Sequence, residues 1–189
     1  MTPVSTRIIA LIGLLLLISS HPVNAQFVNF GLSDHSVSLD FLGEARNNGV
    51  WTQLGAYHHD ELGQRFYAGF LLSEINQSAS QYYWLGLGGQ IAYLDADGPD
   101  GTALPVGGML SFPLIPGIKM KLQISGYYAP SVLAFNGLDK YYDAQARLVF
   151  DLMSNASLYV GYRRIHAGFE FIRDRDLDDG TYAGAILRF

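Results

Sequence analysis

Side-chain character alternates residue by residue along several segments of this chain, and this alternation constrains the fold more than any other feature. In the segment 118–128, the polar face carries Lys119, Lys121, Gln123 and Ser125. In the segment 142–151, the polar face carries Asp143, Gln145, Arg147 and Asp151. Successive side chains of a strand point to opposite faces, so each segment is predicted to be a strand with one apolar and one charged face.

Similar alternating segments follow one another, with turn residues between them. They run at about 35–43, 49–59, 64–74, 81–94, 103–113, 157–168 and 181–189. Each is close to the ~9–11 residues that a tilted strand needs to cross a bilayer. A Lys or Arg facing lipid at the midplane costs about 2–4 kcal/mol, so the charged faces must look inward. The pattern predicts an all-β fold, a closed antiparallel transmembrane barrel.

The number of strands follows from parity. The clear segments number nine, whereas bacterial single-chain barrels use even numbers. A short strand at 27–32 would make ten, which we predict; eight is the alternative. The connections predicted outside are 60–63, 95–102, 130–138 and 171–180, and those inside are 44–48, 75–80, 114–117 and 152–156. The apolar segment 130–138 is predicted to pack against its own barrel, with a lid over the mouth or a contact with lipid headgroups as alternatives.

Both ends of the chain carry export features. Arg7 precedes the apolar run 8–18, which is shorter than the ~20 residues of a spanning helix, and Val23-Asn24-Ala25 fits a cleavage site. We therefore predict a cleaved signal peptide at 1–25 and a barrel domain at 26–189. The last strand ends in Phe189, the membrane-insertion signal that the barrel-assembly machinery of Gram-negative bacteria recognises.

Composition supports a membrane barrel and excludes several other classes. Charged residues make up 15% of the chain, against about 25% in an ordinary soluble domain. Aromatic residues reach 13% and include 12 Tyr, the residue suited to membrane interfaces. Cysteine is absent, which removes disulfide and thiolate chemistry, and the net charge of −5 argues against nucleic-acid binding. We expect the protein to be exported through the periplasm to the outer membrane, where lipid and lipopolysaccharide are its partners.

Several segments carry a resemblance to a known family. They are 54–60, 87–90 with Asp95-Ala96-Asp97, Tyr127-Tyr128-Ala129-Pro130-Ser131 running on to Tyr141-Tyr142, and Val160-Gly161-Tyr162-Arg163. In these segments the chain resembles the YfaZ family of small outer-membrane proteins. The resemblance covers most of 26–189, with 171–180 and the first stretch matching least. It implies location and fold, and it brings neither an activity nor catalytic residues.

The charged groups predicted to face the lumen form the main candidate site. They are Lys119, Lys121, Asp143, Arg147, Asp151 and Arg163. In a narrow barrel, opposite charges most simply pair and plug the interior. The alternative is a narrow polar pathway lined by the same groups. A structural or interaction barrel is therefore the first functional hypothesis, and a porin-like narrow channel or small-solute transporter is the second.

Metal-binding and catalytic sites outside the predicted lumen have little support in the sequence. His58, His59, Asp95 and Asp97 are weak metal candidates, because His58 and His59 are neighbours on a strand and point apart. His35-Ser36, the one adjacent His/Ser pair in the predicted mature chain 26–189, lacks an oxyanion-type motif. We therefore predict no enzyme activity and no cofactor. A soluble periplasmic ligand-binding barrel and a lipid-modifying outer-membrane enzyme are the remaining alternatives, and the oligomeric state is left open.

Overall fold

The structure is a computed structural model that describes residues 27–45, 49–78, 81–96, 98–115, 117–170 and 174–189. The predicted signal peptide, 1–25, lies outside the described residues. Within them, no helix is long and apolar enough to cross a membrane.

The described residues form antiparallel strands joined by short connections. In chain order the strands are β1 (Phe27–Leu32), β2 (Ser36–Ala45), β3 (Val50–His59), β4 (Gly63–Ser78), β5 (Gln81–Asp95), β6 (Asp100–Ala103), β7 (Val106–Pro113), β8 (Met120–Ala129), β9 (Ala134–Phe135), β10 (Leu138–Asp151), β11 (Ala156–Phe169) and β12 (Arg175–Arg188). A 3-10 turn at Ser131–Leu133 precedes β9.

Ten of these strands close into a barrel. Each of β1, β2, β3, β4, β5, β7, β8, β10, β11 and β12 pairs with the next, and β12 pairs back with β1. The short strands β6 and β9 pair with each other beside the barrel wall. The predicted closed ten-stranded antiparallel barrel is confirmed, and Phe27–Leu32 is the strand that makes the number even.

Alternation along the strands separates lipid-facing from lumen-facing residues. Outward positions carry exposed apolar side chains such as Leu87 and Ile91, each 60% exposed. Inward positions carry most of the polar groups, including the buried Gln53, Arg65 and Asp143. The inward direction of the charged faces is therefore as predicted, since a strand that alternates can keep only one of its faces out of lipid.

The barrel has two different ends. The terminal end holds Phe27, Phe189 and the connections β2–β3, β4–β5, β7–β8 and β10–β11. The loop end holds the connections β1–β2, β3–β4, β5–β7, β8–β10 and β11–β12. Bacterial barrels keep short turns in the periplasm and longer loops outside, and the longest connections, β5–β7 and β8–β10, lie at the loop end, so we assign the terminal end to the periplasm.

Several predicted boundaries were wrong. Strand β4 runs to Ser78, into the predicted turn 75–80, and β6 begins at Asp100, inside the predicted loop 95–102. The segment 171–180 was predicted to be an outer loop, yet β12 begins at Arg175. Its aspartates stay in a strand because Asp178 binds Arg163 inside the barrel, while Asp176 and Asp179 lie near Arg164 on the outer face. The segment 103–113 is also not one strand, because Leu104 and Pro105 separate β6 from β7.

Candidate functional site

A buried ion pair spans the middle of the lumen. Arg65 on β4 and Asp143 on β10 are 2% and 4% exposed, and the Arg65 Nη1 group contacts the Asp143 carboxylate directly. The same Nη1 donates to the Tyr141 hydroxyl at 2.7 Å. Gln145 Nε2 donates to Asp143 at 3.1 Å. Strands β4 and β10 are separated in the ring by β5, β7 and β8, so this pair ties distant walls together.

A second buried ion pair lies near the loop end. Arg163 Nη2 lies 2.6 Å from Asp178 Oδ2 and 3.2 Å from Ser36 Oγ. Its guanidinium carbon sits 4.5 Å from the ring centre of Tyr57 and 4.7 Å from that of Tyr182. A cation between two aromatic faces and one carboxylate is well compensated for its lost hydration.

The neighbouring Arg164 points the opposite way, as strand alternation requires. It is 45% exposed and lies 3.7 Å from Asp176 and 3.6 Å from Asp179. Close by, Lys140 contacts Asp174 at 2.9 Å. The hydrogen bond and charge of Lys140 hold the pKa of the Asp174 carboxyl below its ordinary value. These exterior charges belong to the loop end, where a cation costs only ~0–1 kcal/mol.

An apolar cluster fills the space inside the loop end. Its members are Tyr57, Ala92, Leu94, Ala96, Ala103, Ala129, Leu138, Tyr141, Ile165, Ala167, Phe169 and Leu177. Leu133 and Ala134 pack on this cluster, and the Leu104 N–H donates to the Leu133 carbonyl at 2.8 Å. The segment 130–138 therefore packs against its own barrel, as predicted, and together with β6 it covers the cluster.

The terminal half of the lumen contains a cavity of about 480 Å³. One part of its wall is aromatic and apolar, with Trp51, Trp84 and Met109. Polar lining includes Asp40, Asp143 and Arg147. Tyr141 belongs to the apolar cluster and Asp143 lines the cavity, so Arg65, which binds both, stands between the two regions.

The six predicted lumenal charges fall in four places, and Lys119 is the one that is exposed away from the cavity. Asp143, Arg147 and Lys121 line the cavity, and Arg163 belongs to the ion pair near the loop end. Asp151 binds Lys121 at 2.8 Å and Arg188 at 2.7 Å at the terminal end. Lys119 lies just before β8 and is exposed, away from the cavity wall. Sequence reasoning missed Arg65, although it shares a face with Tyr67, and it missed the inward position of Asp178.

The weak metal candidates are dispersed. His58 is exposed on β3, whereas His59 Nδ1 accepts backbone N–H groups of Glu61 and Leu62 at 3.1 and 3.2 Å. Asp95 accepts a bond from Gln64 at 3.1 Å, and Asp97 lies outside the described residues. In the part of the chain that is described, no three His, Cys, Asp or Glu side chains gather in a way that could hold a metal ion.

The adjacent His35 and Ser36 have different surroundings, since β2 begins at Ser36 and His35 precedes it. The Ser36 hydroxyl is buried and contacts Ser33 Oγ at 2.6 Å and Arg163. The His35 ring is near His59, with 5.9 Å between the ring centres. The C-terminal Phe189 follows β12, which pairs with β1, and its side chain is 82% exposed.

The chain is similar to known proteins of one family. A family model described as YfaZ precursor matches residues 6–189. The outer membrane protein YfaZ of Escherichia coli (strain K12) is 31% identical over 105 residues, which are 54% of this chain and 57% of the relative. The chain thus spans a little over half the length of this curated relative. No solved structure matches the chain.

Proposed function

The chain belongs to the YfaZ family and is a β-barrel protein of the outer membrane, and from this premise we propose that it acts as a structural or interaction barrel with a largely plugged lumen. In this role it forms no open pore and catalyses no reaction. The observation that carries the proposal is that side chains fill the lumen at the Arg65–Asp143 pair and from there to the loop end.

Two barriers in series support the absence of a pathway. The first is the Arg65–Asp143 pair, both members of which are almost fully buried. The second is the apolar cluster at the loop end, covered by Leu133 and Ala134. A hydrated ion would have to shed its water to pass this cluster, and burying an unpaired ion costs several kcal/mol or more. Passage would therefore require the segment 130–138 and β6 to move away together.

The positions of His35 and Ser36 support a non-catalytic role. The Ser36 hydroxyl is buried against Arg163, while the exposed His35 lies beside His59. A general base must lie within hydrogen-bond reach of its nucleophile, whereas the Ser36 hydroxyl contacts Ser33 and Arg163.

Two sets of partners follow from the outer surface. Exposed apolar side chains on the outward faces fit outer-membrane lipid and lipopolysaccharide. The side chain of Phe189 at the end of β12 is exposed, which supports its recognition by the barrel-assembly machinery.

The alternative function is a narrow channel or small-solute transporter. The charged lining of the terminal cavity, with Lys121 and Arg147, is the observation that favours it. In that case the cavity would be a vestibule, and the plug at the loop end would be a gate.

Single-channel recording distinguishes the two functions. Protein extracted from outer membranes and placed in planar bilayers is expected to show no discrete conductance steps, because both barriers remain closed. Heat-modifiable migration on a gel checks that the barrel is folded. Discrete steps whose ion selectivity changes in Lys121→Glu or Arg147→Glu would contradict the plugged barrel and support the channel.

A further inference from the structure

The cavity in the terminal half of the lumen has the size and lining of a ligand site. Its volume of about 480 Å³ falls within the ~300–1,000 Å³ typical of small-molecule pockets. We propose that this cavity binds a small zwitterion with an apolar body, held by Asp40 at its ammonium group, by Arg147 at its anionic group, and by Trp51 and Trp84 along its apolar part.

The ammonium position is defined by a carboxylate that binds no cation of the described residues and by an amide oxygen without a donor. The Asp40 carboxylate accepts bonds from the Tyr67 hydroxyl at 2.8 Å and from Asn29 Nδ2 at 2.7 Å. Both donors are neutral, and among the residues that the structure describes no cation lies within ion-pair distance of Asp40. Beside it, Asn29 Oδ1 is buried and accepts no hydrogen bond. A carboxylate and an orphaned amide oxygen together suit an ammonium, which only donates.

The anion position is defined by an arginine with spare donors. Arg147 Nε donates to Gln123 Oε1 at 2.6 Å, and the guanidinium lies 4.7 Å from the ring centre of Tyr159. No carboxylate of the described chain lies within ion-pair distance of Arg147, unlike Arg65, Arg163 and Arg188. The remaining guanidinium N–H groups can bind a carboxylate or phosphate in a bidentate manner.

The two charges face the cavity from different walls. Asp40 lies on β2 and Arg147 on β10, which β1, β12 and β11 separate in the ring. Because both line the same cavity, a ligand with an ammonium and an anionic group would contact both of them from within it. Trp51, Trp84 and Met109 line the cavity with apolar surface for the body between those ends. The buried Trp51 Nε1 also lacks an acceptor, which a polar group of the ligand would supply.

Access is from the terminal end. The rim carries Lys121, whose side chain is 38% exposed, and Arg188. Among the described residues, the Arg65–Asp143 pair bounds the cavity toward the loop end, so a ligand would enter from the periplasmic side. The inference rests on the proposed plugged lumen only for this one-sided access, because binding is measured independently of conductance.

The ligand chemistry has two sources that an experiment can separate. A short apolar peptide carries an ammonium and a carboxylate, and lysophosphatidylethanolamine carries an ammonium and a phosphate. The titration uses the folded protein in phosphatidylglycerol nanodiscs, which contain no ammonium lipid, with Leu-Leu dipeptide and lysophosphatidylethanolamine as separate probes. Intrinsic fluorescence reports occupancy directly, because the chain has two Trp and both line the cavity.

Saturable fluorescence changes are expected with at least one probe. The N-acetylated and the C-amidated dipeptide each lose one charge-assisted contact, so if the free dipeptide binds, these forms should bind about tenfold or more weakly. If lysophosphatidylethanolamine alone saturates, its N-acetylated form should show the same loss, and the ligand is a lipid. If the dipeptide alone saturates, the ligand is peptide-like.

Variants test the two contacts. Asp40→Asn should abolish the preference for the free over the N-acetylated probe. Arg147→Gln should abolish the preference for the free over the C-amidated dipeptide, or weaken binding of the lipid about tenfold or more if the ligand is the lipid. The matched controls are Asp174→Asn and Arg164→Gln, which make the same charge changes on the exterior. The proposal is overturned if neither probe gives a saturable change, or if charged and blocked forms bind the unmodified protein equally. The comparison of probe forms needs no variant, so a variant that fails to fold does not prevent the test.

Discussion

Replacement of Asp143 by asparagine is expected to destabilise the folded barrel by about 3–5 kcal/mol, because Arg65 would remain buried without its counter-ion. Arg65 is 2% exposed and its Nε has no hydrogen-bond partner, so the carboxylate of Asp143 supplies most of its compensation. Urea unfolding of the protein in lipid vesicles, followed by tryptophan fluorescence and by heat-modifiable gel migration, measures the change.

A second variant shows whether the loss of stability comes from the unpaired buried charge of Arg65 or from the loss of the polar contacts themselves. Arg65→Met combined with Asp143→Leu should recover much of the stability, because apolar side chains of similar size often replace a buried ion pair without net cost. The control Asp174→Asn breaks the exposed contact with Lys140 and should change little, since exposed pairs are screened by water. If Asp143→Asn unfolded at the same urea concentration as the unmodified protein, the pair would not hold the lumen together as described.

The strands and their faces could be predicted from the sequence because the direction of each side chain follows from its position along its own strand. A pleated strand turns successive side chains to opposite faces, so Lys121, Asp143 and Arg147 had to share the lumen once their apolar neighbours faced lipid. The even number of strands in bacterial barrels, and not alternation, identified 27–32 as the tenth strand. These predictions need no knowledge of which strands face each other.

The pairing across the lumen could not be predicted in the same way. Arg65 and Asp143 lie on strands that never touch, and their contact depends on the closure and stagger of the whole barrel. Asp178 was placed in a loop because its segment is rich in aspartate. A register shift between Ile165 and His166, where β11 pairs with β12, accompanies its inward contact with Arg163. Short pairings such as β6 with β9 likewise depend on tertiary packing.

Replacement of Gly107 by alanine is expected to destabilise the folded barrel, because β7 and β8 approach each other closely at this residue. Gly107 faces the lumen, and a Cβ atom there would meet the carbonyl oxygen of Gly126 and lie 2.7 Å from Tyr127 Cα. Both obstacles are backbone, so a rotamer change cannot relieve them. The strands would have to move apart, and overpacking of this kind typically costs about 1–3 kcal/mol. The same urea titration measures it.

Gly126 provides the matched control, because it sits on the neighbouring strand and faces outward. A Cβ atom at Gly126 would meet nothing within 4 Å, and its backbone does not need a positive φ. Gly126→Ala should therefore leave the barrel intact and raise its stability by about 0.4–1 kcal/mol, since alanine restricts the unfolded chain. The two substitutions add the same methyl group to paired strands and differ only in what that group meets. Equal effects would show that residue preference, and not the approach of the two backbones, sets the requirement for glycine at position 107.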